Sequence, residues 1–200
     1  MRRFRLGKTT AGPLLALSLC IGPVLDARAE GEGDFLAGRS KACPNCSLPN
    51  AALKRKDLSG VDLSGANLTG AVLHRARLAR ANFNDATLTG ANLNKTDLKN
   101  ASLARAKLEG AMLYETDASA ADFTGADLTG GKMGRARLVR AILDGAKIGS
   151  AVLTGARFDE ASLRGADLSA TNLIEASLRR ANLEGAKLTG ALMPDGSVHD

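Results

Sequence analysis

The stretch GANLTGAVL, residues 65–73, has an apolar residue at every fifth position, and this spacing extends over most of the chain. Starting at Leu53, positions five residues apart are apolar as far as Met193, and 22 of these 29 positions are Leu. The residue two positions before each of them is Ala in 23 of 29 cases. A period this strict decides the fold, because a repeat constrains every unit of the chain in the same way.

Each five-residue unit predicts a short strand followed by a corner. An inward Ala, an outward polar residue and an inward Leu alternate with the period of two that defines a β-strand. The other two residues, often Ser-Gly or Thr-Gly, suit a tight turn in which Gly tolerates a positive φ angle. A helix does not fit, because apolar residues spaced alternately by two and three positions form no single helical stripe.

The units GANLTGAVL, GADLTG (125–130) and RANLEGAKL (180–188) resemble the A(D/N)Lxx motif of the pentapeptide-repeat family. The resemblance covers residues 46–193 and implies an all-β fold, a right-handed quadrilateral β-helix with four units per coil and a solid interior. It implies about seven coils, which at the usual strand spacing make a rod roughly 35 Å long. The expected core ladder includes Leu63, Leu68, Phe83, Leu88, Leu93, Phe123, Phe158 and Leu163.

Ala118 and Lys56 are the two inward departures from the pattern that bear most on packing. Ala118 leaves a gap in the ladder, and the next ladder residue is the larger Phe123, so we expect a large-for-small exchange that avoids a void. Lys56 occupies an inward Ala position in the first coil. Its ammonium group is expected to extend out to water, because long cationic side chains bury only their alkyl stems.

Residues 1–29 are typical of a secretion signal. MRRFRLGK is basic, AGPLLALSLCIGPVL is apolar, and ARA is a cleavage motif of the A-x-A type. The apolar stretch is short and interrupted by Gly and Pro, which disfavours a stable membrane span. We therefore expect export to the periplasm or the extracellular space after cleavage near Ala29, and the alternative is an uncleaved N-terminal anchor.

The ends of the repeat predict three further elements. Residues 30–45 form an N-terminal segment in which GDFLAGRSKA could make a short helix that lays Phe35 and Leu36 over the first coil. Residues 194–200 form a C-terminal tail, in which Pro and Gly predict no helix. An uncovered solenoid end exposes apolar interior, so we expect tail folding or an end-to-end homodimer through the C-terminal coil.

The net charge excludes some classes of function. The chain carries +6 in total, but residues 1–29 contribute +4, which leaves about +2 for the remainder. A strongly acidic rod, which the DNA-mimicking members of the resembled family need, is therefore not present. Nucleic-acid binding is not expected either, because the chain has no Trp and no recognisable nucleic-acid module.

Twenty residues per coil would place basic residues on one side of the rod. The tract RARLARA (75–81) recurs as RARLVRA (135–141), sixty residues later, so the two should stack three coils apart. Docking of an acidic partner or of anionic lipid head groups competes with a second interpretation, a solvated side of cross-coil ion pairs. The candidate interaction residues are Arg75, Arg77, Arg80, Arg135, Arg137 and Arg140.

A second side would carry outward apolar residues. Val72, Met112, Val152 and Leu192 share one column, with Tyr114 and Ile174 at its corner. Scattered exposed apolar residues are ordinary, whereas alignment along one face favours a protein-binding strip.

Little in the sequence indicates catalysis. The two histidines, His74 and His199, lie on a corner and in the tail, and neither is near a Cys in sequence. The many Asp residues fill the outward repeat position, and a metal site needs more His or Cys ligands than the chain has. We expect a non-enzyme without cofactors, an exported structural or interaction module for an unknown protein partner. A weak association with the envelope surface is a further expectation.

The alternative is a small thiol or redox protein that uses Cys43 and Cys46. Counted backward in fives from Leu53, Cys43 falls in the ladder register and Cys46 in the Ala register, so both should point inward across one corner. Turn residues three apart lie within about 7 Å, which suits a disulfide. A structural disulfide or a buried thiol pair is favoured over a redox or metal centre.

Overall fold

A computed structural model describes residues 27–200, and side chains from residue 31 onward. The predicted signal sequence up to residue 26 lies outside the described residues. The described part of the chain begins with one α-helix, α1 (Ala27–Leu36), and then forms a right-handed quadrilateral β-helix. The predicted fold class is thereby confirmed.

Successive coils pair in register at a spacing of twenty residues. Parallel bridges link each outward residue to the one twenty positions later, from Ala42↔Asp62 to Asn172↔Leu192. Each strand is a single bridge residue flanked by two inward ones, because the chain turns a corner every five residues. Four units therefore make one coil, and the bridges begin one unit before residue 46.

The corners are tight turns with one residue of positive φ. The Leu63 carbonyl accepts a hydrogen bond from the Ala66 N–H at 3.1 Å, and Gly65 between them has φ of 64°. A positive φ at the third turn residue is the type II geometry. Arg75 and Arg135 occupy the same turn position with φ of 58° and 55°, so some corners carry long cationic side chains at a conformational cost.

The interior is a stack of ladder residues between walls of Ala. All eight predicted ladder residues are buried, and so is Ala118. Three inward threonines replace Ala, and their hydroxyls donate to ladder carbonyls, as Thr171 does to Leu168 at 2.7 Å. Buried hydroxyl groups are thereby satisfied, which keeps the core free of unpaired side-chain polar atoms within the part of the chain that the structure describes.

Helix α1 covers the N-terminal end of the first coil. It begins at Ala27, inside the predicted signal region, and stops where Gly38 takes φ of 74°. Phe35 is 3% exposed against the core, but Leu36 is 41% exposed, so the expectation that both residues pack on the coil is wrong for Leu36. The two residues are neighbours on a helix, and one turn cannot direct both into the same core.

Two polar side chains fasten α1 to the first coil. Glu32 Oε1 accepts a hydrogen bond from the Ser47 N–H at 2.6 Å, at an edge where an earlier coil would supply a carbonyl. The exposed Lys56 donates from Nζ to the Leu36 carbonyl at 3.1 Å. A cation at a helix C-terminus is favourable, so Lys56 reaches outward, as predicted, and also caps the helix.

The C-terminal tail folds back on the last coil. Val198 pairs antiparallel with Leu192, and the His199 N–H donates to the Ala191 carbonyl at 2.9 Å. The tail covers only this edge. Four ladder residues of the last coil remain partly accessible, Leu178, Leu183, Leu188 and Met193.

Candidate interaction surfaces

The basic face is the side of the rod that holds the predicted arginines. Its strand residues in successive coils are Asp57, Arg77, Asp97, Asp117, Arg137 and Arg157. Arg75 and Arg135 lie at one corner of this face and Arg80 and Arg140 at the other, so the six candidate residues do share one side.

Ion pairs engage four of the six candidate arginines. Arg77 lies 3.6 Å from Asp57, and Arg137 lies 3.7 Å from Asp117. The remaining paired residues are Arg135, 4.0 Å from Glu115, and Arg140, 2.8 Å from Glu160. Arg75 and Arg80 make no ion pair within residues 31–200.

Opposite charges twenty residues apart recur on the other sides of the rod. Asp85 and Arg105 are joined by two hydrogen bonds of 2.7 Å, and Asp127 lies 3.7 Å from Lys147. These side chains face each other across adjacent coils, where opposite charges stabilise the pairing modestly. On the basic face, four of the six candidate arginines make pairs of this kind. The basic face is therefore largely a ladder of ion pairs, in line with the second interpretation of this side.

Asp159 is the one nearly buried charge among the described residues, at 6% exposed. Its carboxylate accepts hydrogen bonds from Ser177 Oγ at 2.5 Å and Arg179 Nε at 3.0 Å, and Arg157 Nη2 lies at 2.9 Å. These donors, Ser177 first, hold the pKa of Asp159 far below its usual value. Asp159 and Arg179 line a cavity of about 370 Å³ together with Glu160 and Arg180.

Replacing Asp159 by Asn should lower the free energy of unfolding by about 1–2 kcal/mol at pH 7, because charged hydrogen bonds are lost but the arginines stay solvated. The folded pKa lies below the unfolded value of about 3.9. The carboxylate's contribution is therefore complete above that value and is lost as pH falls toward the folded pKa. Urea denaturation of both proteins should show a constant difference from about pH 8 to 5 that shrinks below about pH 4. A difference that grows on acidification would contradict this assignment.

The apolar face lies next to the basic face. Its strand residues alternate between apolar and polar from coil to coil, so the apolar ones are two strand spacings apart, about 9.6 Å. Val72 and Val152 are 37% and 45% exposed, whereas Met112 and Leu192 are half-buried. The column runs Val72, Asn92, Met112, Lys132, Val152, Asn172 and Leu192.

A groove of about 380 Å³ opens on the corner between these two faces. The Tyr114 ring lies across Gly134, where an added Cβ would come within 3.3 Å of the ring. Val152 and Thr154 form the far wall, and the groove is completed by Lys132 and Arg135. The sequence pattern revealed Tyr114 and Val152 but not Gly134, because a missing side chain leaves no periodic signal.

Cys43 and Cys46 form a disulfide in the first corner. Their Cα atoms are 5.4 Å apart, and the residues are 2% and 4% exposed. Cys43 Sγ lies 3.5 Å from the Gly31 carbonyl oxygen of α1, so the helix covers the bond. A dithiol–disulfide couple requires attack by a thiolate on a sulfur atom, and this burial opposes it.

Reduction of this disulfide by dithiothreitol should be slow in the folded protein and fast in guanidinium chloride. Because α1 must open before the reductant can reach the disulfide, Phe35→Ala should raise the rate of reduction in the folded protein by at least about tenfold. A tenfold increase corresponds to a decrease of about 1.4 kcal/mol in the free energy of opening. Alkylation of the released thiols followed by mass spectrometry gives the rate. Equal rates in folded and unfolded protein would contradict burial and favour the redox alternative.

A corner near the N-terminal end carries cations that the sequence pattern did not single out. Lys54 and Arg55 lie one coil before His74 and Arg75, and the Arg55 N–H donates to the His74 carbonyl at 3.0 Å. Partial burial and the charges of Arg75, Lys54, Lys95 and Arg55 lower the pKa of His74. These charges could have been found by stacking the sequence in rows of twenty.

Neither a metal-binding cluster nor a membrane-spanning helix occurs among the described residues. No group of three or more His, Cys, Asp or Glu side chains is placed to hold a metal ion within residues 31–200. Among the helices that the structure describes, none has the length and apolarity to cross a membrane.

Comparison with known proteins gives the same assignment as the geometry. A family model described as pentapeptide repeats matches in eight copies, with segments between residues 46 and 193. No curated protein matches the sequence.

Solved structures with this repeat also align to the chain. HetL, a pentapeptide repeat protein involved in heterocyst differentiation regulation from the cyanobacterium Nostoc, is 28% identical, and the alignment covers 86% of this chain and 98% of HetL with a TM-score of 0.37. Rfr23 from the cyanobacterium Cyanothece is 23% identical over 86% of this chain and 99% of Rfr23, with a TM-score of 0.42. QnrB1, a plasmid-mediated fluoroquinolone resistance protein, is 17% identical over 72% and 84%, with a TM-score of 0.37. Likenesses this distant support no transfer of function.

Proposed function

The chain belongs to the pentapeptide-repeat family, and from that premise we propose that it is an exported, non-enzymatic interaction module that presents the apolar face of its rod to a protein partner. The single observation that carries the proposal is the groove between Tyr114 and Val152. It combines exposed apolar surface, a notch at Gly134 and two cations, and it lies on a face where a second exposed apolar residue, Val72, shares the column of Val152.

The groove has the chemistry of a protein contact. Tyr is among the residues that dominate interface energetics, because its ring offers a large apolar area and a polar end at little entropic cost. The ring is 38% exposed and its position across Gly134 leaves space on the Val152 side for an incoming side chain. A partner with an apolar residue flanked by carboxylates fits this groove, since Lys132 and Arg135 border it.

The scaffold suits presentation rather than catalysis. The backbone between the ends is held by coil-to-coil hydrogen bonds every few residues, so a contact surface on it is largely preformed. Asp159 and Glu160 share one cavity, but both carboxylates are held there in ion pairs with arginines, and neither a His nor a Cys lines it.

Photocrosslinking tests the proposal directly. A photoreactive residue placed at Val152 should give one discrete adduct in the native host, while the same residue at Ser162, on the opposite side of the rod, should give none. Mass spectrometry of the adduct identifies the partner. Adducts of equal yield and pattern from both positions would contradict a specific apolar face.

Export is supported by the basic, apolar and A-x-A segments within residues 1–29. N-terminal sequencing of the protein recovered from the cell envelope or medium should begin near Glu30. A protein that retains Met1 and stays with the cytoplasmic fraction would overturn export. Cleavage near Ala29 would remove only the first residues of α1 and leave Glu32 and Phe35, which make its contacts with the first coil.

End-to-end association through the last coil is a second expected contact. The backbone N–H groups of Leu183 and Leu188 have no hydrogen-bond acceptor within the described chain, and their side chains are only partly covered. Sedimentation velocity should show concentration-dependent association that weakens in Leu183→Asp and in Met193→Asp. The matched outward change Asn182→Asp should have little effect. A monomer at all concentrations would rule the contact out.

A further inference from the structure

The positive charge of the rod is concentrated at its N-terminal end. Residues 41–80, the first two coils, contain seven Lys or Arg and two Asp, a net charge of +5. Residues 81–200 contain 14 basic and 15 acidic residues, a net charge of −1. Two coils are about 10 Å deep, comparable to the Debye length at physiological salt, so these charges act together on an approaching partner.

Within this end, like charges stack at one corner. The cationic corner consists of Lys54, Arg55, His74 and Arg75, and backbone hydrogen bonds of 3.0 Å join Arg55 to His74 and Arg75 to Asn94 in the following coils. Lys54, Arg55 and Arg75 are exposed, and none of the three makes an ion pair within residues 31–200.

Like charges also meet elsewhere on the rod, but oppositely charged side chains balance them there. The bridge partners Asp97 and Asp117 lie 3.6 and 3.5 Å from Lys99. The bridge partners Arg137 and Arg157 pair with Asp117 and Asp159, whereas the cationic corner has no such carboxylate within residues 31–200. Like charges directly opposite each other destabilise adjacent strands. The cationic corner therefore contributes nothing favourable to folding, and an anionic ligand would account for it.

The shape of the corner favours an extended ligand. Cavities of about 350 to 380 Å³ lie elsewhere, and none of the four corner residues lines them. A convex corner cannot enclose a small anion, but several long cations can contact a flat anionic surface at once. Val72, in the same coil as His74 and Arg75, is exposed on the adjoining face and can insert among head groups.

We propose that the cationic corner docks the N-terminal end of the rod on an anionic lipid bilayer. The contact is separate from the protein partner proposed for the groove, so either can fail without the other. Lys54, Arg55 and Arg75 supply the attraction to lipid phosphates, and the ion-paired coils beyond them stay free for other contacts. Each Lys or Arg near such a surface strengthens binding about fivefold, so three together contribute about a hundredfold.

Vesicle co-sedimentation of the full chain tests the proposal. The probes are vesicles with 30% phosphatidylglycerol in phosphatidylcholine and vesicles of phosphatidylcholine alone, at 50 and 300 mM NaCl. The test variant is Lys54→Gln/Arg55→Gln/Arg75→Gln, and the matched control Lys107→Gln/Lys147→Gln/Lys187→Gln loses the same charge from a face where Lys and Asp alternate. Circular dichroism checks that both fold. The unsubstituted chain and both variants contain the apolar stretch at residues 11–25. The binding of each protein is therefore compared between the two vesicle types.

The expected result is salt-sensitive binding to the phosphatidylglycerol vesicles that falls about a hundredfold in the test variant and less than about fivefold in the control. Equal losses in both variants would overturn the proposal, because bulk charge would then suffice. Equal binding to both vesicle types would overturn it as well. Polyglutamate and a DNA duplex serve as competing probes, and corner-dependent binding to either of them without vesicle binding would assign the corner to an acidic macromolecule instead.

Discussion

Replacement of Phe123 by Ala should lower the free energy of unfolding by about 3–5 kcal/mol, the usual cost of removing a buried aromatic side chain. Phe123 is fully buried in the ladder, and the neighbouring ladder residue of its coil is the small Ala118. With Ala at this position as well as at Ala118, the core would contain a cavity that the rigid corners cannot close. The loss should therefore lie toward the upper end of the range. Urea denaturation followed by circular dichroism measures it.

The matched control for this change is Ile142→Ala. The Phe123 N–H donates to the Ile142 carbonyl, so the two residues are neighbours, but the Ile142 side chain points outward and is 44% exposed. Its truncation should cost less than about 1 kcal/mol. Similar losses in the two variants would contradict the division between an inward ladder and an outward surface.

Replacement of Phe35 by Ala should release the N-terminal end of the rod while leaving the middle intact. Phe35 is the buried anchor of α1, and its loss should cost about 3 kcal/mol or more locally. Each coil contacts only its neighbours, so instability at one end decays along the solenoid. Hydrogen exchange should show faster exchange in residues 42–61 and unchanged protection in residues 121–160.

Leu36→Ala is the control for the helix anchor. Leu36 is adjacent in sequence but largely exposed, so hydrogen exchange of the first coil should change little. Uniform loss of protection along the whole rod in the Phe35 variant would show that the coils unfold as one unit and would contradict nearest-neighbour stability.

The fold could be predicted from the sequence because every five-residue unit repeats the same pattern of inward, outward and turn residues. Leu68 and Ala66 are inward for the same reason as Leu163 and Ala161, and one error in register would misplace all of them. The period of five sets the corners, and the resemblance to the pentapeptide-repeat family supplied the four units per coil. The parallel bridges at twenty residues confirm that number.

The surface could be predicted only in part. The side on which Arg137 lies follows from counting, but whether it meets Asp117 depends on side-chain rotamers, about which the repeat carries no information. Outward positions do not determine the fold, so the repeat does not specify their contacts. Cross-coil ion pairs were one of the two predicted interpretations of this side, but which four arginines make them was not predicted, and neither was the notch at Gly134.

The ends could not be read from the repeat either. α1 presents Phe35 but not Leu36 to the core because neighbouring residues on a helix point in different directions. The contact of Glu32 with Ser47 that holds α1 on the first coil also involves a residue outside the repeat. The tail pairs antiparallel with the last coil through Val198, a contact for which five-residue periodicity gives no signal. Both ends depend on single residues outside the repeat.

All the proposed surfaces rest on the stacking of residues twenty positions apart, and disulfide trapping measures that stacking most directly. In the double variant Asn92→Cys/Met112→Cys the two outward positions are bridge partners, so their Cα atoms fall within the range that a disulfide accepts, about 4.4–6.8 Å. In Asn92→Cys/Lys107→Cys the same kind of outward positions lie on different sides of the rod. Mild oxidation should crosslink the first variant nearly completely within the monomer and the second hardly at all. Crosslinking of the second variant in preference to the first would contradict the twenty-residue coil and every surface built on it.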